Sequence, residues 1–179
     1  GAPMTVAEIA GTVLKDKLFF QNSGGGVTLS GGEPTRDADF NRDLLNHLKR
    51  EGIHTLVETC GLFDAETFEQ MLYPFLDLIY YDIKLMDDDM HRQYCGVSNQ
   101  VILNNYDCLF RRFQAGGVEI LPRTPLIPGI TDTDENLQAI ADFLLSVGAD
   151  KAELLEYHPM WREKNVKLGL PMPAEEPED

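Results

Sequence analysis

Five short apolar runs alternate with stretches whose apolar residues recur at helical spacing, and this alternation constrains the fold of the 179-residue chain more than any other feature. The runs cover residues 27–29, 53–57, 77–85, 118–121 and 152–157. Between them, 39–51 is amphipathic around Phe40, Leu44, Leu45 and Leu48 and stops at Gly52. Further helices are expected over 64–72, opened by Asp64, over 98–114, opened by Ser98, and over a stretch opened by Asp132 or Thr133 and closed at Gly148. At the N-terminus, Thr5 with Glu8 forms a capping-box signature ahead of Val6, Ile9, Ala10, Val13, Leu14 and Leu18. Strands alternating with helices argue an α/β fold with a mostly parallel sheet. Periodicity leaves open whether the sheet is flat or curls into part of a barrel, and five strands cannot close an eight-stranded one. No linker composition divides the chain, so 1–179 is expected to be a single domain, with the Pro- and Glu-rich tail 171–179 flexible.

Charge narrows the partners. Thirty acidic residues against 15 basic ones leave a net charge of −15, which disfavours nucleic acid and anionic membrane surfaces. No apolar run approaches the roughly 18 residues of a membrane span, and no signal-peptide pattern opens the chain. The three widely spaced cysteines, Cys60, Cys95 and Cys108, read as reduced thiols of a cytoplasmic protein.

In parallel α/β folds ligands bind beyond the carboxyl ends of the strands. Here those ends carry Ser30-Gly31-Gly32-Glu33, then Glu58-Thr59-Cys60, then Asp82 and Lys84, then Arg123, then His158. Such a rim of polar and ionisable groups is the main functional signal read from the residues alone. Each residue also has a plainer reading. Gly31-Gly32 is either a tight turn or a place where backbone approaches a ligand, and Glu33 beside it suits an amino group. Lys84 alone fits a solvated strand-end charge held by Asp82, and His158 a loop histidine. Arg123, between two prolines, suits anion capture. Cys60 lacks an obvious base and reads as a small rim residue, and Asp87-Asp88-Asp89 as a helix start.

The segments SGGGVTLSGGEP (23–34), DIKLMDDDMHRQYCGVSN (82–99), PRTPLIPGITD (122–132) and ELLEYHP (153–159) together resemble the glycyl-radical-enzyme activating proteins of the radical S-adenosylmethionine superfamily, of the pyruvate formate-lyase activating type. The resemblance implies a partial TIM-like (β/α) barrel, a 4Fe–4S cluster that cleaves S-adenosylmethionine reductively, and hydrogen abstraction from a backbone glycine of a partner such as pyruvate formate-lyase. A reducing flavodoxin or ferredoxin would supply the electron. Residue by residue, Ser30, Gly31, Gly32 and Glu33 resemble the loop that takes the methionine amino group. Glu58 stands near a bound monovalent cation or the cofactor, and Lys84 and His158 align with contacts to the methionine carboxylate and ribose. Asp82 and Arg123 line the same cavity, while Asp88 and His91 fall in the segment that meets the partner's glycine loop.

One departure stands out. The family ligates its cluster through CxxxCxxC ahead of the first glycine loop, whereas the first cysteine here is Cys60. Soft thiolates are what hold such a cluster. The chain is therefore expected to be a fragment that lacks the first strand and cluster loop, to bind no cluster alone and to be inactive alone. It is also expected to expose a sheet edge able to pair with another copy. The alternative is a non-catalytic barrel-derived module that binds a small zwitterion or a partner protein.

Overall fold

A computed structural model describes residues 3–157 and Gly169. His158 and the tail 171–179, both assigned roles from sequence, lie outside the described residues. The capping box forms as the spacing requires: Thr5 Oγ1 accepts the Glu8 amide at 3.3 Å, and the Glu8 carboxylate accepts the Thr5 amide at 2.7 Å. It opens α1 (Val6–Val13), which a short turn (Leu14–Asp16) joins to α2 (Lys17–Ser23). Gly24, at φ 69°, ends α2 and leads into β1 (Gly26–Leu29).

The alternation then proceeds through α3 (Ala38–Arg50), β2 (His54–Thr59), α4 (Ala65–Met71), β3 (Leu78–Asp82), α5 (Asp88–Cys95), α6 (Gln100–Gln114), β4 (Glu119–Pro125), α7 (Asp134–Val147) and β5 (Glu153–Leu155). The strands follow the order β1-β2-β3-β4-β5, and the pairs β1/β2, β2/β3 and β4/β5 are parallel. The described sheet is thus an open one, with β1 at one margin and β5 at the other. Among the described residues no helix is long and apolar enough to cross a membrane.

Two strands differ from their sequence expectation. β3 is shorter than 77–85: it begins at Leu78, after Asp77 turns its carboxylate to the Thr55 amide (2.9 Å) and the Lys49 ammonium (2.6 Å), and it ends at Asp82. β4 is longer than 118–121: it continues through Pro122 and Arg123 to Pro125, in register with β5 at Arg123↔Glu153 and Pro125↔Leu155. Arg123 therefore lies within a strand and is buried rather than following its exit. Ser98, expected to open α6, instead donates its hydroxyl to Asp88 at 2.6 Å, and the helix begins at Gln100.

The described residues group into two compact units that no linker separates. The first runs up to Asp82 and includes Gln100–Pro122; the second holds Ile83–Asn99 and the described residues from Arg123 onward. In the first, Ala10, Leu44, Leu48 and Ile53 form a buried cluster flanked by Val6, Phe20, Val27 and Phe40. Each fully buried side chain of Leu or Ile size contributes roughly 1.5–3 kcal/mol. An aromatic row, Phe63, Tyr81, Tyr106 and Phe110, extends the same unit, its successive ring centres 6.5, 5.4 and 5.7 Å apart. In the second unit α7 buries Ile140 and Leu144, and Ile83 and Leu85 are also buried.

Candidate functional site

In the first unit the turn after β1 and the turn after β2 are tied together by one carboxylate. Glu33 Oε1 accepts the Thr35 amide (3.2 Å), the Thr35 hydroxyl (2.9 Å) and the Thr59 hydroxyl (2.9 Å), while Oε2 accepts the Cys60 amide (2.9 Å). Burial raises the Glu33 pKa, but hydrogen bonds from Cys60 and Thr35 outweigh it and leave the carboxyl below its ordinary value. Glu33, which the sequence reading pairs with a ligand's amino group, also holds the loop that carries the glycines. Gly31 sits at φ 123°, a conformation that favours glycine, and neither Gly31 nor Gly32 has an atom within 4 Å of where a Cβ would stand. The Cα of each therefore faces open space on its side-chain side. Ser30 beside them donates to Glu58 Oε2 at 2.6 Å. Asp82 closes β3 in the same unit, half-buried.

The β2 turn is itself pinned from α6. Asn105 Nδ2 donates to the carbonyls of Gly61 and Phe63, both at 2.9 Å, and Tyr81 Oη donates to the Ile102 carbonyl at 2.6 Å. Gly61 is at φ 78°, and a Cβ there would lie 2.0 Å from Tyr81 Oη. Only glycine satisfies both demands. Burial pushes the Tyr81 phenol far above its ordinary value, so it is a fixed donor throughout the physiological range.

In the second unit Lys84 leaves the chain two residues beyond β3, in a segment whose backbone is held by side chains from elsewhere. Asn136 Nδ2 donates to the Lys84 and Thr131 carbonyls (2.9 Å each), and its Oδ1 accepts the Met86 amide (3.0 Å). Asn99 Nδ2 donates to the Leu85 (3.1 Å) and Met86 (2.7 Å) carbonyls. The Ile83 amide donates to the Arg123 carbonyl at 2.9 Å, and Thr124 Oγ1 donates to the Ile83 carbonyl at 2.8 Å.

Of Asp88 and His91, assigned from sequence to a partner surface, His91 is buried, while Asp88 stays partly exposed and also accepts from Arg92 Nε at 2.9 Å. His91 is 3% exposed with Nδ1 2.7 Å from the Val97 carbonyl. Asp88 accepts the Ser98 hydroxyl and the Asn99 amide (2.9 Å), which holds its carboxyl below its ordinary value. Both residues shape the 88–99 hairpin of helix and turn. Asp87 caps α5 by accepting the Met90 amide at 2.8 Å, as a helix start requires.

The sequence reading gives no role to Asn99, Asn105 or Asn136, and names Thr59 only as part of the β2 exit. A signal exists for two of the asparagines. Asn105 lies on the buried face of α6 with Ile102 and Leu109, and Asn136 on that of α7 with Ile140 and Leu144. A buried amide on an apolar face requires hydrogen-bond partners.

In the first unit, glycine peptide carbonyls with Glu58 and Asp82 have the chemistry to take an ammonium group; in the second, Lys84 and Arg123 have that to take a carboxylate. A 4Fe–4S cluster is not matched: among the described residues no three His, Cys, Asp or Glu side chains gather as a metal site, and the three cysteines lack the family spacing.

Residues 1–144 match the family model of the radical SAM superfamily. The chain is 42% identical to the isethionate sulfite-lyase activating enzyme of Nitratidesulfovibrio vulgaris over 98% of its own length and 56% of that protein's. It is 33% identical to the pyruvate formate-lyase-activating enzyme of Clostridium pasteurianum, covering 95% of this chain and 69% of the relative. Among solved structures, a domain of pyruvate-formate lyase-activating enzyme from Bacteroides vulgatus superposes with a TM-score of 0.66 at 31% identity, over 82% of this chain and 96% of that one. The chain thus spans little more than half the length of some of its relatives. The open parallel sheet, the glycine turn after its first described strand and these matches together place the chain in the radical SAM superfamily, among the glycyl-radical-enzyme activating proteins.

Proposed function

We propose that this chain supplies the S-adenosylmethionine-holding part of an activating enzyme that generates a glycyl radical on a partner of the pyruvate formate-lyase type. The observation that carries the reading is the glycine turn, Gly31-Gly32, open on its side-chain side and fixed by Glu33 to the end of β2. In this reading the peptide groups of Ser30, Gly31 and Gly32 take the methionine ammonium. Glu58 and Asp82 add negative charge toward the sulfonium side. Lys84 and Arg123 offer cations to the carboxylate, and the ribose contact is assigned to His158, outside the described residues, on the family resemblance alone. Bound S-adenosylmethionine supplies the 5′-deoxyadenosyl group for hydrogen abstraction. No step is assigned to a cluster held by these residues. A reducing flavodoxin or ferredoxin as electron donor, and a cytoplasmic setting, complete the proposal. The relatives' names favour an activating enzyme over a non-catalytic zwitterion binder.

Equilibrium dialysis of the chain against S-adenosylmethionine tests the binding role. Saturable uptake, weakened by Lys84→Ala, is the expected result. Uptake that does not saturate, or that ignores Lys84, contradicts it.

A further inference from the structure

We infer that Asn136, with Asn99, is a positioning residue for Lys84: acting through the backbone of residues 84–86, the two amides fix the point from which the lysine ammonium leaves the chain. β3 ends at Asp82 and Ile83 is still held by the Arg123 carbonyl and the Thr124 hydroxyl, whereas residues 84–86 draw their order from side chains elsewhere. Asn136, only 8% exposed, supplies it from the first turn of α7, with Thr133 capping that helix. One amide group meets a carbonyl at Lys84, an amide at Met86 and a third peptide at Thr131. Asn99 takes the two carbonyls in between, at Leu85 and Met86. Ile83 and Leu85 are buried, so the segment cannot turn over without exposing apolar side chains. Neither asparagine is itself a ligand contact: both side-chain nitrogens, and the Asn136 oxygen, are engaged by peptide groups. Few other side chains could do this, since the site needs a donor and an acceptor on one short planar group. Aspartate lacks the donors, and leucine has the volume alone.

The inference rests on the reading of Lys84 as the carboxylate contact, and the test separates the two. Wild type, Asn136→Ala, Asn99→Ala and Lys84→Ala are each titrated with S-adenosylmethionine and with its decarboxylated analogue. The expected result is that all three variants lose about tenfold in affinity for S-adenosylmethionine, the low end of what a charge-assisted hydrogen bond contributes. Affinity for the analogue changes little. Equal losses for both ligands in the asparagine variants, or none, overturn the inference, because a merely structural defect does not discriminate by carboxylate. Should wild type bind neither ligand, the binding reading fails, and a second measurement still decides the positioning. In trace acetylation, Lys84 is expected to react severalfold faster relative to Lys151 when either asparagine is removed, and an unchanged ratio refutes the role. Asn136→Ser serves in place of alanine if that variant does not fold.

Discussion

The Glu33 carboxylate accepts the backbone amide of Cys60 at 2.9 Å, which ties the turn after β1 to the turn after β2. Three further donors, from Thr35 and Thr59, converge on its other oxygen. Glu33→Gln places an amide nitrogen against one of these donors. The variant is expected to lose about 1–3 kcal/mol of stability in urea unfolding. A loss indistinguishable from zero would show that the carboxylate does not hold the turns.

The same carboxylate sets an acid dependence. Its folded pKa lies below the ordinary 4.5, because hydrogen bonds from Cys60 and Thr35 outweigh the upward push of burial. A depressed folded pKa means that its contribution is fully present above the unfolded value and disappears as pH falls through the folded one. The stability gap between wild type and Glu33→Gln is therefore expected to be constant near neutrality and to shrink below pH 4.5. A gap that grows in acid contradicts this sign.

Gly61 meets Tyr81 where no side chain fits. Gly61→Ala combines a positive φ with a Cβ at 2.0 Å from Tyr81 Oη, and is expected to cost at least about 2 kcal/mol. Tyr81→Phe removes the hydroxyl and its bond to the Ile102 carbonyl at a cost of about 1 kcal/mol. The double variant is expected to stay at least about 2 kcal/mol less stable than wild type, because the ring carbons Cζ and Cε1 that phenylalanine keeps also stand in the way of the added Cβ. A double variant that recovers wild-type stability in thermal unfolding would rule out that contact.

Cluster binding makes a fourth test. Reconstitution of the chain with iron and sulfide under anaerobic conditions is expected to leave no iron on the protein after desalting, because no three thiols, imidazoles or carboxylates gather among the described residues. A stable 4Fe–4S spectrum would overturn this.

Much of the fold was legible because amphipathic spacing and caps act locally: Thr5 with Glu8, Asp64, Asp87 and Thr133 cap the helices where their positions suggested. β4 was misjudged at its end, since Pro122 and Pro125 read as a stop although the strand runs through them. The strand-exit residues were legible as a set, but their partners were not. Glu33 meets Cys60 across 27 positions and Lys84 meets Asn136 across 52, and no local pattern records such pairings. His91 shows the converse: its segment matched the family, yet whether its ring faces outward or toward Val97 depends on packing that the string of residues does not state.

The central claim is that the strand exits hold S-adenosylmethionine, and amide and lysine chemical shifts during its titration into the labelled chain test it most directly. Shifts at Gly31, Gly32 and Lys84 that share one saturation curve are the predicted result. Shifts confined to other residues, or none at all, would contradict it.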